Sequence, residues 1–198
     1  MTNLDIVVYD IEIVKCIPDR KKPNDPTLEY CGGWNDRANM GISVLCAFDT
    51  REGHPRIFLA DNLPEFGKLI EGRTVAGFNN QGFDDPLLAA NGITVGDSYD
   101  LCYEMRAAVG EPRAFTFGVT KGGRRLDDLA NANLGAQKSM HGDLAPVEWQ
   151  RGNRGAVIDY CMRDVMLTWR LIEKLPSLID PVTGKTVTLA MPQSAAVA

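Results

Sequence analysis

Two acidic residues, Asp10 and Glu12, interrupt an otherwise apolar segment near the start of the chain. Residues 5–12 (DIVVYDIE) are rich in β-branched and aromatic side chains, which predicts a buried strand. Side chains two positions apart in a strand leave the same face, so the two carboxylates can share one hard cation. The alternative is an exposed strand end, where acids need no partner.

A second acidic position follows the apolar segment 74–77. The sequence Asn80-Gln-Gly-Phe83-Asp84 predicts a turn that leads into the first turn of a helix. Asp84 is then either a metal ligand or an ordinary helix N-cap. The neighbouring Asp85 leaves the choice between the two acids open.

The third position lies in residues 156–175, the longest apolar-periodic segment of the chain. Tyr160 and Asp164 are four residues apart and therefore lie on one face of the predicted helix. A polar pair that faces a sheet needs metal or water to satisfy it. The alternative is a solvated face on which Arg163 or Arg170 pairs with the acids.

Together the three segments resemble the motifs of the DEDD exonuclease superfamily, which are an Asp-x-Glu strand, an Asn-x-x-(Phe/Tyr)-Asp turn and a Tyr-x-x-x-Asp helix. They occur here in the family's order, and the resemblance extends over residues 6–175. Tyr160 indicates the tyrosine branch, because the histidine branch has His at the position of Asp159. Residues 126–135, followed by Lys138, also look like a helix in the proofreading domains of family B DNA polymerases.

The resemblance implies a 3′-to-5′ exonuclease that uses two divalent ions, Mg²⁺ or Mn²⁺, to activate a water and to stabilise the developing oxyanion. By the same resemblance, Asp10 would bridge both ions, Glu12 and Asp164 would complete the ion that activates water, and Asp84 would hold the second ion. Tyr160 would orient the attacking water, since a phenol with a pKa of about 10 is a poor base at neutral pH.

Candidate substrate contacts come from two segments. Asn80 and Phe83 are predicted to flank the terminal nucleotide, with Phe83 either stacking on a base or belonging to the core. Lys121, Arg124 and Arg125 close the glycine-rich segment 113–125 and are predicted phosphate contacts, although such basic residues are more often only solvated.

Residues 18–39 are rich in Pro, Gly, Asn and charge, which predicts a long surface loop inserted after the first motif. Its aromatic residues Tyr30 and Trp34 either stack on bases or pin the loop to the core. Its basic residues 20–22 are further candidates for phosphate contacts.

The elements that must position these residues predict an α/β chain with an RNase H-like fold. Strands at 5–12, 41–48 and 56–60 predict an antiparallel three-strand meander, after which helices and strands alternate in a mixed sheet flanked by helices. Later strands are predicted at 74–77 and 98–101, and helices at 63–71, 84–90, 103–109, 126–134 (ended by Gly135) and 156–175.

Length and composition favour one globular domain, since the chain has 198 residues of which 44% are hydrophobic. We expect that domain to span residues 1–178, followed by a C-terminal tail, 179–198, that forms at most a weak hairpin and frays. No apolar run of about 18 residues and no basic leader with a cleavage site is present, which predicts a soluble, cytoplasmic chain without a membrane partner. The five cysteines never form CxxC, so free buried thiols are expected.

The net charge of −5 counts against nucleic-acid binding unless bound cations reverse the local field. With that condition, the predicted substrate is single-stranded DNA, favoured over RNA. A separate polymerase or another replication protein is a candidate partner, and the oligomeric state is not predicted. Two other functions stay open, a structure-selective RNase H-like endonuclease or resolvase and a catalytically silent nucleic-acid-binding module.

Overall fold

Strands and helices alternate along the chain in the computed structural model, which describes residues 4–136 and 142–193. The strands are Ile6–Ile13, Ile42–Asp49, His54–Phe58, Thr74–Gly77, Ser98–Asp100, Ser177–Ile179 and Thr186–Thr188, numbered β1 to β7. The α-helices are Arg37–Met40, Leu63–Leu69, Asp84–Ala90, Leu101–Ala108, Leu126–Leu134, Ala145–Gln150 and Arg154–Ile172, numbered α1 to α7. A 3₁₀ turn spans Gly142–Leu144.

Five strands form one mixed sheet in the order β3-β2-β1-β4-β5. The first three are antiparallel neighbours, whereas β4 and β5 run parallel to β1. This confirms the predicted α/β sheet with an opening meander. Because β1 lies at the centre, a side chain at its carboxyl end lies beside the amino end of the antiparallel β2 and near the carboxyl end of the parallel β4.

The two faces of β1 pack against different helices. Its even-numbered residues, such as Ile6 and Val8, share a buried cluster with the α7 residues Val157 and Val165. Its odd-numbered residues belong to the cluster that includes Phe66 of α2 and residues of α3. The alternation of a strand therefore directs Asp10 and Glu12 toward the α7 side of the sheet.

Helix boundaries follow local signals closely. Helix α5 has the predicted limits, and Gly135 ends it in the left-handed region at φ 64°. Helix α7 begins two residues before the predicted start and ends three residues before the predicted end. None of the helices within residues 4–136 and 142–193 combines the length and the apolar character needed to cross a membrane.

The segment 18–39 is more ordered than the predicted loop. Cys16 forms an isolated parallel bridge with Tyr30, and helix α1 begins at Arg37. The side chain of Gln150 on α6 donates to the carbonyls of Val14 and Glu29 at 2.9 and 3.1 Å. The loop prediction is correct for much of the segment and wrong at its end, where a short helix forms.

The expectation of a fraying tail is wrong for residues 179–193. Strands β6 and β7 form an antiparallel hairpin, and the predicted boundary at residue 178 falls inside β6. Leu189 is buried, the Tyr99 hydroxyl donates to the Ala190 carbonyl at 2.8 Å, and the Thr74 hydroxyl donates to the Gln193 carbonyl at 2.6 Å. These contacts join the hairpin to the main sheet. Residues 194–198, and Lys138 of the quoted resemblance, lie outside the described residues.

Candidate functional site

Asp10 and Glu12 stand at the carboxyl end of the central strand. Opposite them on β2 are Cys46 and Val44, and the register of the two strands shifts between Glu12 and Ile13. Glu12 is buried at 8% exposure, and Asp10 is partly buried. A strand that carries two acids on one partly buried face is disfavoured unless something compensates their charge.

Helix α7 brings Tyr160 and Asp164 to the same face of the sheet. Both side chains are buried, at 3% and 5% exposure. The Cys161 thiol donates to the Asp10 carbonyl at 3.3 Å, which joins the middle of α7 directly to β1. The fold therefore brings the first and third motifs together on this face of the sheet.

The phenol of Tyr160 is held neutral. Burial is the largest cause that raises its pKa far above the ordinary value, followed by the negative charges of Asp164, Glu12 and Asp10 and by a hydrogen bond with Asp164. The charges of three predicted metal ligands therefore act on this one phenol. A neutral phenol can donate or accept a hydrogen bond but cannot remove a proton from water near pH 7.

The second motif begins at a tight turn after β4. Asn79 in this turn adopts the left-handed backbone conformation, with φ 64°. At position 77 only glycine fits, because an added Cβ would lie 2.8 Å from the Asn80 Cβ. The Asp100 carboxylate accepts hydrogen bonds from the backbone N–H groups of Asn79 and Gln81 and also caps α4. Burial outweighs these donors and raises the pKa of Asp100 to about 6.

Asp84 and Asp85 have different surroundings. Asp85 accepts hydrogen bonds from the Tyr9 hydroxyl and, at 2.6 Å, from the Ser98 hydroxyl, so its carboxylate joins β1, α3 and β5. Asp84 is 5% exposed, and burial followed by the charge of Asp10 raises its pKa well above the ordinary value. Asp84 is thus electrostatically linked to the Asp10 carboxylate on β1, whereas Asp85 serves as a hydrogen-bond acceptor for Tyr9 and Ser98.

Asn80, which was predicted to flank the terminal nucleotide, does not reach the surface. Its side chain is fully buried and donates to the Ser98 hydroxyl at 2.8 Å and to Asp85 at 3.3 Å. A buried amide that joins two structural partners cannot flank a nucleotide, so this prediction is corrected. Phe83 is partly buried and packs on the α2–α3 side of the core, with its ring centroid 6.0 Å from that of Trp34.

The three basic residues predicted to contact phosphate have different environments. Arg124 is 8% exposed and forms ion pairs with Asp180 and Glu111, both at 2.8 Å. Arg124 therefore has a structural role, and its predicted phosphate contact is wrong. Arg125 remains accessible although it pairs with Asp128, and Lys121 is exposed.

Sequence reasoning missed several residues around this site. Tyr9 on β1 donates to Asp85, and Asp100 on β5 accepts from the Asn79 N–H. Both residues support the second motif from other strands, so their role becomes visible only in the folded structure. Phe115 and Phe117 are 66% and 92% exposed in the segment between α4 and α5. These two phenylalanines are two positions apart in a basic glycine-rich segment. That pattern was visible in the sequence and could have been singled out as an exposed aromatic surface.

The donor chemistry of the site fits a hard divalent cation. Burial and the charge of Asp10 raise the cost of ionising Asp84, and carboxylate oxygens are the ligands that Mg²⁺ and Mn²⁺ prefer. Within the described part of the chain, no three acidic, His or Cys side chains are arranged closely enough to hold an ion as they stand.

Comparison with known proteins supports the fold. The chain is similar to a solved structure of the family B DNA polymerase from the hyperthermophilic archaeon Pyrobaculum calidifontis, with a TM-score of 0.57 and 19% sequence identity. The match covers 90% of this chain and 26% of the polymerase chain. No protein-family model matches the sequence, and no curated protein matches it significantly. The chain thus has an RNase H-like fold, with a mixed five-stranded sheet flanked by helices, in common with part of a DNA polymerase.

Proposed function

We propose that this chain is a metal-dependent 3′-to-5′ exonuclease that hydrolyses single-stranded DNA. The observation that carries the proposal is the meeting of three separate motifs at the carboxyl end of β1, where Asp10 is electrostatically linked both to Asp84 and to Tyr160. Acids that are buried together and pushed toward higher pKa values are typical of sites that bind cations or perform proton chemistry. The similarity to part of a DNA polymerase fits a nucleic-acid substrate.

Four carboxylates, those of Asp10, Glu12, Asp84 and Asp164, would hold two divalent cations. When bound, the ions would lower the pKa of a water molecule and neutralise charge on the scissile phosphate. Tyr160 acts as a neutral hydrogen-bonding group that orients the water, since its raised pKa excludes a role as general base near pH 7. Burial of Glu12 and Asp164 keeps bulk water from screening these interactions.

The strand leaving the site needs cations outside the carboxylate cluster. Lys121 and Arg125 are the predicted phosphate contacts that remain accessible, and both lie in the segment that leads into α5. Such contacts add affinity without selecting sequence. We propose DNA over RNA as the substrate and a separate polymerase or another replication protein as a partner, since the match covers 26% of a DNA polymerase chain.

The proposal is tested with 5′-labelled single-stranded DNA and RNA of one sequence, incubated with Mg²⁺, Mn²⁺ or EDTA. We expect a ladder that shortens from the 3′ end with either metal, and no shortening with EDTA or in the Asp10→Ala variant. Absence of degradation of both strands with both metals would contradict the proposal. The faster strand identifies the preferred substrate.

Two variants on α7 provide a matched control. Asp164→Asn removes a buried acid of the site, whereas Asp159→Asn removes an exposed acid that pairs with Arg163 on the same helix. We expect loss of hydrolysis only in the first variant. A closed circular single strand separates the exonuclease from a structure-selective endonuclease, because an exonuclease needs an end and leaves the circle intact.

A further inference from the structure

The segment 18–39 is held against the candidate site. At one end, the Gln150 carboxamide accepts from the Glu29 N–H at 2.7 Å and donates to the Glu29 carbonyl at 3.1 Å. At the other end, the Arg37 guanidinium donates to the Gly82 carbonyl at 2.9 Å. Gly82 belongs to the turn that precedes Asp84, so the segment is fixed directly to the second motif.

Between these two anchors lies a short turn that presents Trp34. The Asp36 carboxylate accepts from the Gly32 N–H and from the Asn39 side chain, each at 2.6 Å. These bonds fix the backbone on both sides of Trp34. The indole is therefore carried by an ordered turn.

Trp34 contacts the site and is nevertheless mostly open. Its ring meets the Phe83 ring at a centroid distance of 6.0 Å and an angle of 73°, and Phe83 directly precedes Asp84. Even so, 67% of Trp34 is exposed. The other two tryptophans are partly buried, and Trp169 stacks on Phe48 with centroids 5.4 Å apart.

We propose that Trp34 stacks on a nucleobase at the 3′ end of a single strand, so that the 18–39 segment supplies one wall of the substrate site. The inference rests on the proposed exonuclease function. A phosphodiester bound through a cation at Asp84 would bring its attached base close to Phe83, where the open side of the indole is available. Aromatic faces stack on every base, so Trp34 would favour unpaired ends without selecting a sequence.

Binding is measured first, with Mg²⁺ present and an oligo(dT) whose linkages resist hydrolysis, so that the site holds its cations and the result does not depend on hydrolysis. Trp34 is the most exposed of the three tryptophans, and stacking on thymine should quench its fluorescence when oligo(dT) is added. We expect quenching in the wild type and in Trp149→Phe, and none in Trp34→Phe. Quenching that persists in Trp34→Phe, or that is absent from the wild type, would overturn the proposal.

Hydrolysis is then compared on strands that end in a normal or an abasic 3′ nucleotide. Since stacking on an aromatic ring is worth about 1–3 kcal/mol, Trp34→Ala should lower kcat/KM on the normal end by about 5- to 150-fold. On the abasic end the two proteins should be equal, and Trp34→Phe should retain most of the normal rate. Equal losses on both ends would overturn the proposal. A wild type that binds oligo(dT) with quenching but hydrolyses neither strand would contradict the proposed function and leave the stacking role supported.

Discussion

Replacing Asp180 with Asn should destabilise the fold by removing an ion pair that connects the C-terminal hairpin to the segment before α5. Asp180 is fully buried, and both of its oxygens accept from Arg124, at 2.8 and 3.0 Å. The Thr183 hydroxyl also donates to this carboxylate at 2.7 Å. In the variant, the guanidinium would retain only Glu111 as an acidic partner among these contacts.

The magnitude follows from the pKa of Asp180. Hydrogen bonds from Arg124 are the largest cause that lowers this pKa from 3.8 to about 2. Each tenfold change in proton affinity corresponds to about 1.4 kcal/mol, so the charged carboxylate contributes about 2 kcal/mol to the free energy of unfolding. Because the pKa is lower in the folded chain, this contribution is complete above about pH 4 and disappears as the pH falls toward about 2.

Urea denaturation of the wild type and Asp180→Asn at several pH values checks the reasoning. We expect a difference of about 2 kcal/mol at pH 7 that shrinks steadily below about pH 4. Arg125→Ala is the matched control, because Arg125 is the neighbouring arginine, is 74% exposed and should have little effect. A difference that does not depend on pH, or an equal effect in Arg125→Ala, would refute the assigned role of the ion pair.

Three other substitutions test the second motif and its supports. Asp84→Asn should reduce metal-dependent hydrolysis by at least about 100-fold. Without metal, the same variant should raise the free energy of unfolding at pH 7, because burial and the charge of Asp10 disfavour the charged Asp84. This gain should be lost below about pH 4, where Asp84 is also protonated in the unfolded chain. Nuclease assays measure the loss of hydrolysis, and urea titrations at several pH values measure the change in stability. Gly77→Ala should lower the free energy of unfolding by about 1–3 kcal/mol, since the new Cβ would lie 2.8 Å from the Asn80 Cβ, and an unchanged urea midpoint would contradict this. Tyr9→Phe should lower it by about 1–3 kcal/mol, because Asp85 loses a buried donor; a thermal melt that matches the wild type would show that the bond contributes nothing.

Local periodicity accounts for much of what the sequence predicted about the site. Asp10 and Glu12 share a strand face because they are two residues apart, and Tyr160 and Asp164 share a helix face because they are four apart. Both relations depend only on neighbours along the chain. The alternation of elements likewise predicted the mixed sheet, although β5 and α7 begin or end a few residues from their predicted limits.

Distant partners account for what could not be predicted. Arg124 and Arg125 are adjacent in sequence, yet only Arg124 reaches Asp180, which is 56 residues away. Asp84 and Asp85 look equivalent in sequence, and only the approach of Tyr9, 76 residues before Asp85, distinguishes them. Asn80 looked like a surface turn residue because its partner Ser98 belongs to another strand. Each of these contacts is created by tertiary packing, which sequence spacing does not encode.

Four buried carboxylates separate into two groups by the sign of their pKa shifts, Asp180 and Asp49 in one and Asp84 and Asp100 in the other. At Asp180 and Asp49, arginine side chains donate hydrogen bonds, and the pKa is lowered even though burial acts in the opposite direction. At Asp84 and Asp100, burial raises the pKa, and at Asp84 the neighbouring acids raise it further. The first group stabilises the fold at neutral pH, whereas Asp84 disfavours it while its charge is uncompensated. A divalent cation beside Asp84 would supply the positive charge that arginine supplies elsewhere, which supports the proposed metal site at this end of β1.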